Sequence, residues 1–166
     1  VKIIEFVDYQ CLSCRRTLEV TEDLLAAYPE ELLIEIRHLP LPLHRQARRA
    51  ASAAVAAQQQ GRFWEMHRLL LENQTRLNAQ IYLELAEQIG LDLERFQRDM
   101  ESTETSAALS ADQRIARQYG VLTTPYLIIN GEPAAGASTY GDLAESIERA
   151  RRKAAAARSY SSNHGV

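Results

Sequence analysis

The sequence predicts an α/β domain in which a strand–helix–strand unit and a terminal hairpin–helix enclose a block of helices. Three observations carry this. Val1–Val7 and Leu32–Arg37 are short apolar, β-branched runs separated by a helical stretch. Tyr126–Ile129 is a third such run, followed by Asn130-Gly131, a strong hairpin signal. The long stretch between the second and third runs is rich in Ala, Gln and Leu at helical spacing.

The near-continuous apolarity of VKIIEFV suits a strand covered on both faces. Cys11 to Ala27 reads as a helix with Leu18 and Leu25 on one face and Pro29 just past its end. With the strand Leu32–Arg37 it makes a parallel pair joined by a right-handed crossover. Helices are then expected over Gln46–Gln60, stopped by Gly61, and over Phe63–Glu72. A further helix, Gln80–Ile89, puts Ile81, Leu85 and Ile89 on one face, with Gly90 as a C-cap. Leu93–Met100 and Thr105–Tyr119 complete the block, the last stopped by Gly120. The strand returning from Asn130-Gly131, near Glu132–Ala137, is weakened by Pro133 and Gly136. Thr139 and Asp142 form a capping box for a final helix with Leu143, Ile147 and Ala150 on one face. Arg149, Arg151, Arg152 and Lys153 would sit in its C-terminal half, where positive charge suits the helix dipole. The expected organisation is residues 1–39 as the first half of an α/β core, 40–120 as a helical insertion, 121–158 as the second half, and 159–166 as a flexible tail.

The 166 residues are one domain's worth, and 46% hydrophobic with 25% charged residues is a globular composition. A net charge of -3 gives no broad attraction to nucleic acid, and no nucleic-acid partner is expected. No apolar run approaches the roughly 20 residues of a membrane helix. The chain starts at Val1, inside a strand-like run and without methionine, so an upstream segment is expected to precede it.

The two cysteines, Cys11 and Cys14, are three residues apart. A bond between them closes too small a loop to staple the fold, so chemistry is the better reason for the pair. Placed where the first strand hands over to the first helix, they share a face and lie near disulfide geometry. Cys11 would meet the helix N–H groups and partial positive charge that favour a thiolate, the attacking species in disulfide exchange. Cys14, one turn in, would be the shielded resolving thiol. The alternatives are a pair of buried small hydrophobes or half of a metal site, although no second CxxC is present and His38, His44, His67 and His164 lack ligand spacing with the pair.

Glu5 shares a strand face with Ile3 and Val7. It is either a buried acid with a raised pKa, able to take the proton that Cys14 loses, or a strand-end acid exposed to water. Thr124-Pro125 precedes the third strand, and unaided physics favours a trans bond there. Tyr9 is the candidate for an exposed aromatic surface that grips substrate, and Asp8 reads as a solvated turn residue. His38 and His44 flank Pro40 and Pro42 in a rigid connector and are not expected to be catalytic; Phe63, Trp64 and Met66 read as core of the helical block.

Together these residues resemble the DsbA-like thioredoxin family. IIEFVDYQCLSCR near the start and GVLTTPYLIING near the end carry the resemblance. The segment RHLPLPLHRQARRAASAAVAAQQQGRFWEMHRLLLENQ looks like that family's inserted helical domain. The resemblance implies a thioredoxin fold (β-α-β … β-β-α) with an all-helical insertion. It also implies Cys11 as nucleophile, Cys14 as resolving thiol, Glu5 as the buried acid, and Pro125 as a cis-proline facing the disulfide. Thr124 would tune the potential and contact substrate. The inner dipeptide is Leu12-Ser13 where well-known DsbA oxidases carry Pro-His. The implied activity is exchange of the Cys11–Cys14 disulfide with cysteine-containing protein substrates, disulfide formation first, with isomerisation or reduction as other directions. It would need no cofactor beyond that disulfide. It would need a redox-recycling partner protein, which could be membrane-bound, and an extracytoplasmic location, periplasmic or membrane-attached. The rival classes are a non-catalytic CxxC module holding copper or zinc, a redox-sensing module of a larger protein, and a glutathione-dependent enzyme on the same scaffold.

Overall fold

The computed structural model describes residues 1–134 and 139–164, with side chains described as far as Ser159. β1 (Lys2–Val7) lies at the centre of a four-stranded sheet of order β2-β1-β3-β4. It pairs in parallel with β2 (Leu33–His38) and antiparallel with β3 (Tyr126–Ile129), while β4 (Glu132–Pro133) extends β3. Alternation along β1 divides its side chains between two faces. Ile3 packs with Leu24 and Ile147, and Val7 with Cys14 and Leu18, on the face of α1 (Leu12–Ala27). Phe6 packs on the opposite face with Ala116, Val121 and Ile128.

Five helices lie between β2 and β3: α2 (Ala47–Gln58), α3 (Phe63–Glu72), α4 (Ala79–Gln88), α5 (Leu93–Met100) and α6 (Thr103–Gln118). The starts of α4, α5 and α6 follow capping chemistry. Asn78 accepts hydrogen bonds from the Gln80 and Ile81 amides, Asp92 from Arg95, and Ser102 from Thr105. The alanines of α2 are almost entirely buried and let α3, α5 and α6 pack closely around it. α3 also packs on α1, which ties the helical block to the sheet unit.

The hairpin expected at Asn130-Gly131 is present, and both residues have positive φ, 48° and 85°, as a type I′ turn requires. The return strand is shorter than the expected Glu132–Ala137: it covers Glu132–Pro133, and 135–138 lie outside the described residues. Thr139 and Asp142 bond reciprocally as a capping box at 3.2 Å each way, opening α7 (Tyr140–His164). The tail expected at 159–166 is instead helical through His164, because Ala154–Ala157 are strong helix formers and no Gly or Pro intervenes before Gly165. Arg149 and Arg151–Lys153 therefore lie in the middle of α7. There Arg151 pairs with Glu31 and Glu148, and Lys153 with Glu132. No helix among the described residues is long and apolar enough to cross a membrane.

Candidate active site

The turn from β1 into α1 builds the site. Cys11 is the N-cap of α1, extended at ψ 116°, with no side-chain cap bond. Its amide donates to the Asp8 carbonyl at 3.0 Å, and its own carbonyl accepts from the Cys14 amide at 3.1 Å. Cys11 is partly exposed, Cys14 is fully buried, and both are free thiols. Cys11 Sγ lies 3.3 Å from the Thr124 carbonyl oxygen, so the segment before β3 closes over the Cys11 sulfur. The Thr124–Pro125 peptide bond is cis.

This geometry separates the two thiols chemically. A hydrogen bond from Cys14 is the largest influence on Cys11. With the Thr124 side chain and the Ser13 and Cys14 amides it outweighs partial burial and brings the Cys11 pKa down to about 5. Giving that bond, together with burial, holds Cys14 far above the ordinary thiol range. At neutral pH the pair is a thiolate at the surface and a thiol one turn inside.

Glu5 lies between Ile36 of β2 and Leu127 of β3 and is 2% exposed. Burial raises its pKa to about 8, so the buried alternative holds and the exposed strand-end alternative does not. Thr124 meets Cys11 through its carbonyl, and Pro125 follows it across the cis bond; Tyr9 is not the exposed aromatic surface expected. Tyr9 is 0% exposed, because the chain turns inward after Val7 and tucks the ring beneath the helical block. Its hydroxyl lies 2.9 Å from His67 Nδ1 and 3.5 Å from His38 Nε2. Exposed apolar side chains close in sequence to Cys11 and Thr124 are instead Leu12 and Leu122. Met66 is core, but Trp64 is half exposed, on the outer face of α3.

Asp8 is likewise buried and not solvated. Its carboxylate accepts from the Gln10 amide at 2.7 Å, the Leu41 amide at 2.8 Å and His44 Nδ1 at 2.8 Å. It thereby pins the connector after β2 to the active-site turn. His38 serves a second buried layer: its Nδ1 and amide both lie 2.9 Å from Asp112 Oδ2, and Arg37 donates to Asp112 Oδ1 at 2.9 Å. Burial opposes the Asp112 charge, yet the bonds from His38 and Arg37 prevail and hold its pKa low. Burial, with smaller contributions from His38 and Arg68, brings His67 down to about 3 and keeps it neutral. Apart from the local Asp8–Gln10 turn, the sequence flagged none of these pairings, whose partners are 29 to 75 residues apart. Among the described residues no group of three or more His, Cys, Asp or Glu side chains converges on a metal-sized position.

The sequence matches the family described as Thioredoxin across residues 1–149. The chain belongs to the thioredoxin family. Within that family it is similar to a thioredoxin-like oxidoreductase from Silicibacter pomeroyi DSS-3, with TM-score 0.83 and 32% identity over 91% of this chain and 86% of that one. It shares its fold with the thiol-disulfide exchange protein alpha-DsbA2 from Wolbachia pipientis, with TM-score 0.80 and 21% identity over 90% of this chain and 81% of that one. The thioredoxin core with helices between β2 and β3 is thus the DsbA-type form of the fold. The chain is also 36% identical, over 132 residues and 79% of its length, to the Na(+)/H(+) antiporter NhaA 3 of Salinispora tropica. It spans about a fifth to a quarter of the length of the curated antiporters it matches.

Proposed function

We propose that this thioredoxin-family chain is a thiol–disulfide oxidoreductase that exchanges a Cys11–Cys14 disulfide with cysteines of protein substrates, in the direction of disulfide formation. The opposite displacement of the two thiol pKa values, Cys11 to about 5 and Cys14 upward, carries the reading. In that direction a substrate thiolate attacks Cys11 Sγ, forming a mixed disulfide, and Cys14 leaves with the electron pair of the broken S–S bond. Glu5, which holds its proton up to about pH 8, supplies a proton to Cys14. A second substrate thiolate then attacks the substrate sulfur, and Cys11 leaves as a stable thiolate. Substrate thiols become a disulfide and the protein disulfide becomes a dithiol, a two-electron exchange with no organic cofactor. A stabilised Cys11 thiolate favours the reduced protein, which makes the disulfide oxidising even without the Pro-His dipeptide.

The backbone at Thr124 suits an extended substrate strand laid beside the nucleophile, and Leu12 and Leu122 offer apolar contact around it. The cycle requires a partner protein that reoxidises the dithiol, and the reading goes with an extracytoplasmic location, where substrate disulfides persist. Equilibration of Cys11–Cys14 with glutathione tests it. A potential near roughly -120 mV is expected, one near about -270 mV makes the protein a reductant, and no defined equilibrium overturns the enzyme reading.

The antiporter relatives favour a second reading of context, in which this domain is the redox module of a larger membrane protein. Antibody against the domain would then detect a membrane-fraction species much longer than 166 residues; a soluble species of this length would reject it.

A further inference from the structure

Gln74 follows α3 in the helical block, 63 residues from Cys11 in sequence, and is 5% exposed. Its Nε2 donates to the Cys11 carbonyl oxygen at 2.7 Å. A carbonyl can only accept, so the amide's orientation is fixed with its NH2 end on Cys11. The other end, Oε1, is buried with no hydrogen-bond partner among the described residues. A buried amide with one end unmatched is unfavourable, and an apolar side chain of similar shape would pack there at lower cost. Stability alone is therefore a poor reason for this residue.

The carbonyl that Gln74 holds is a critical one. It belongs to the N-cap of α1 and also accepts the Cys14 amide, so it fixes the rotation of the first helical turn. The groups that act on Cys11 Sγ are Cys14, the Ser13 and Cys14 amides, and Thr124. Of these groups, the Ser13 and Cys14 amides belong to that same first turn. The titratable neighbour among them is Cys14; the Asp8 carboxylate, although close in sequence, is turned to His44, Leu41 and Gln10.

We propose that Gln74 is a positioning residue of the exchange site, through which the helical insertion holds the Cys11 end of α1 in its reactive orientation. The inference rests on the exchange reading but is testable apart from it. The insertion thereby acts directly on the nucleophile: it sets the hydrogen bonding of Cys11 without touching its sulfur.

The test titrates the Cys11 thiolate by its ultraviolet absorbance in the reduced protein, and measures the glutathione equilibrium at pH 7, for wild type, Gln74→Met and Gln74→Glu. Met keeps the shape and loses the donor. It should raise the Cys11 pKa by about one unit and shift the glutathione equilibrium about tenfold toward the protein disulfide. Glu replaces the donor with a negative charge and should raise the pKa further, and it gives the same readout if the Met variant does not fold. Leu85→Ala serves as a control, since it opens a cavity under α4 in the insertion's own core; it should lower the melting temperature and leave the pKa alone. A Cys11 pKa within about 0.3 units of wild type in both Gln74 variants overturns the proposal, as does an equal shift in Leu85→Ala. Should wild type show no glutathione equilibrium, the exchange reading fails while the titration still decides the role of Gln74.

Discussion

The two sides of the first turn of α1 use the same chemical group in opposite ways. On the outer side Cys11 meets amide donors, the Thr124 segment and partial solvent, and its thiol ionises near pH 5. On the inner side Cys14 packs with Val7, Tyr9 and Leu18 in the hydrophobic core and stays protonated. Apart from the Cys11 thiolate itself, no charged side chain is among the causes on either side. The hydrogen bond from Cys14 to Cys11 lowers one pKa and raises the other, and burial of Cys14 adds to the difference. The difference teaches that the asymmetry of the pair depends on where the helix begins, so changes that shift that start should act on both thiols at once.

The sharpest way to break the contrast is to remove one member. Cys11→Ser should abolish exchange entirely, whereas Cys14→Ser should accumulate a stable mixed disulfide at Cys11, visible as a mass increment on non-reducing analysis. Cys14→Ala removes the largest cause of the low Cys11 pKa and should raise it more than any other single substitution at the site. An unchanged Cys11 titration in Cys14→Ala would mean that the helix amides, and not the neighbouring thiol, control the nucleophile.

The inner side is sharpened by Glu5→Gln. Glu5 has a folded-state pKa of about 8 against an ordinary 4.5, so the folded protein holds the proton more tightly than the unfolded chain does. Its contribution to stability is complete below pH 4.5 and is lost as pH rises toward 8. At neutral pH the loss is on the order of 3 kcal/mol. Glu5→Gln should flatten that decline and raise the melting temperature at pH 7 to 8, while slowing the step in which Cys14 gains or loses a proton. A variant less stable than wild type at pH 8 would show that the carboxylate has a compensating partner.

Much of this was legible in the sequence, for local reasons. The Thr139–Asp142 capping box, the Gly90 helix stop, the Asn130-Gly131 turn and the CxxC at a strand–helix junction are read from residues a few places apart, and each lies where expected. Glu5 was legible only up to a choice between two environments, because burial on a central strand depends on what covers the sheet. Asp8 and Tyr9 were misplaced for the same reason. A polar or amphipathic residue beside an active site suggests surface, and the partners that draw these two inward, His44, Leu41, His67 and His38, come from segments 29 to 58 residues away. Gln74 had no local signal at all.

Asp8 provides a test on the connector side. Asp8→Ala leaves the Gln10 and Leu41 amides and His44 without their shared, fully buried acceptor, although these donors are themselves partly exposed. A loss of about 2 kcal/mol is expected, or a melting temperature lower by roughly 4–8 °C for a domain of this size. Asp8→Asn keeps an acceptor for the amides and should recover part of it. An Asp8→Ala variant that melts like wild type would place the connector's anchorage elsewhere.

Tyr9→Phe should have the smallest effect and is the most informative about the inner layer. The hydroxyl stands between two imidazoles, and His38 Nδ1 already faces the Asp112 carboxylate. Tyr9 can donate to one of the two imidazoles while accepting from the other, the roles following the tautomers. Removing the hydroxyl deletes a shared bond without changing ring packing, and about 1 kcal/mol of destabilisation follows. His67 stays neutral because burial, not Tyr9, sets its pKa, so the folded protein should still lose stability as pH falls from 6.5 toward 3. If Tyr9→Phe lowers stability and leaves the pH dependence of exchange unchanged, the histidine layer serves packing alone. A shifted pH profile at unchanged Cys11 pKa would instead show that this layer reaches the proton on Cys14, and the contrast between the two sides of the turn would then extend as far as Asp112.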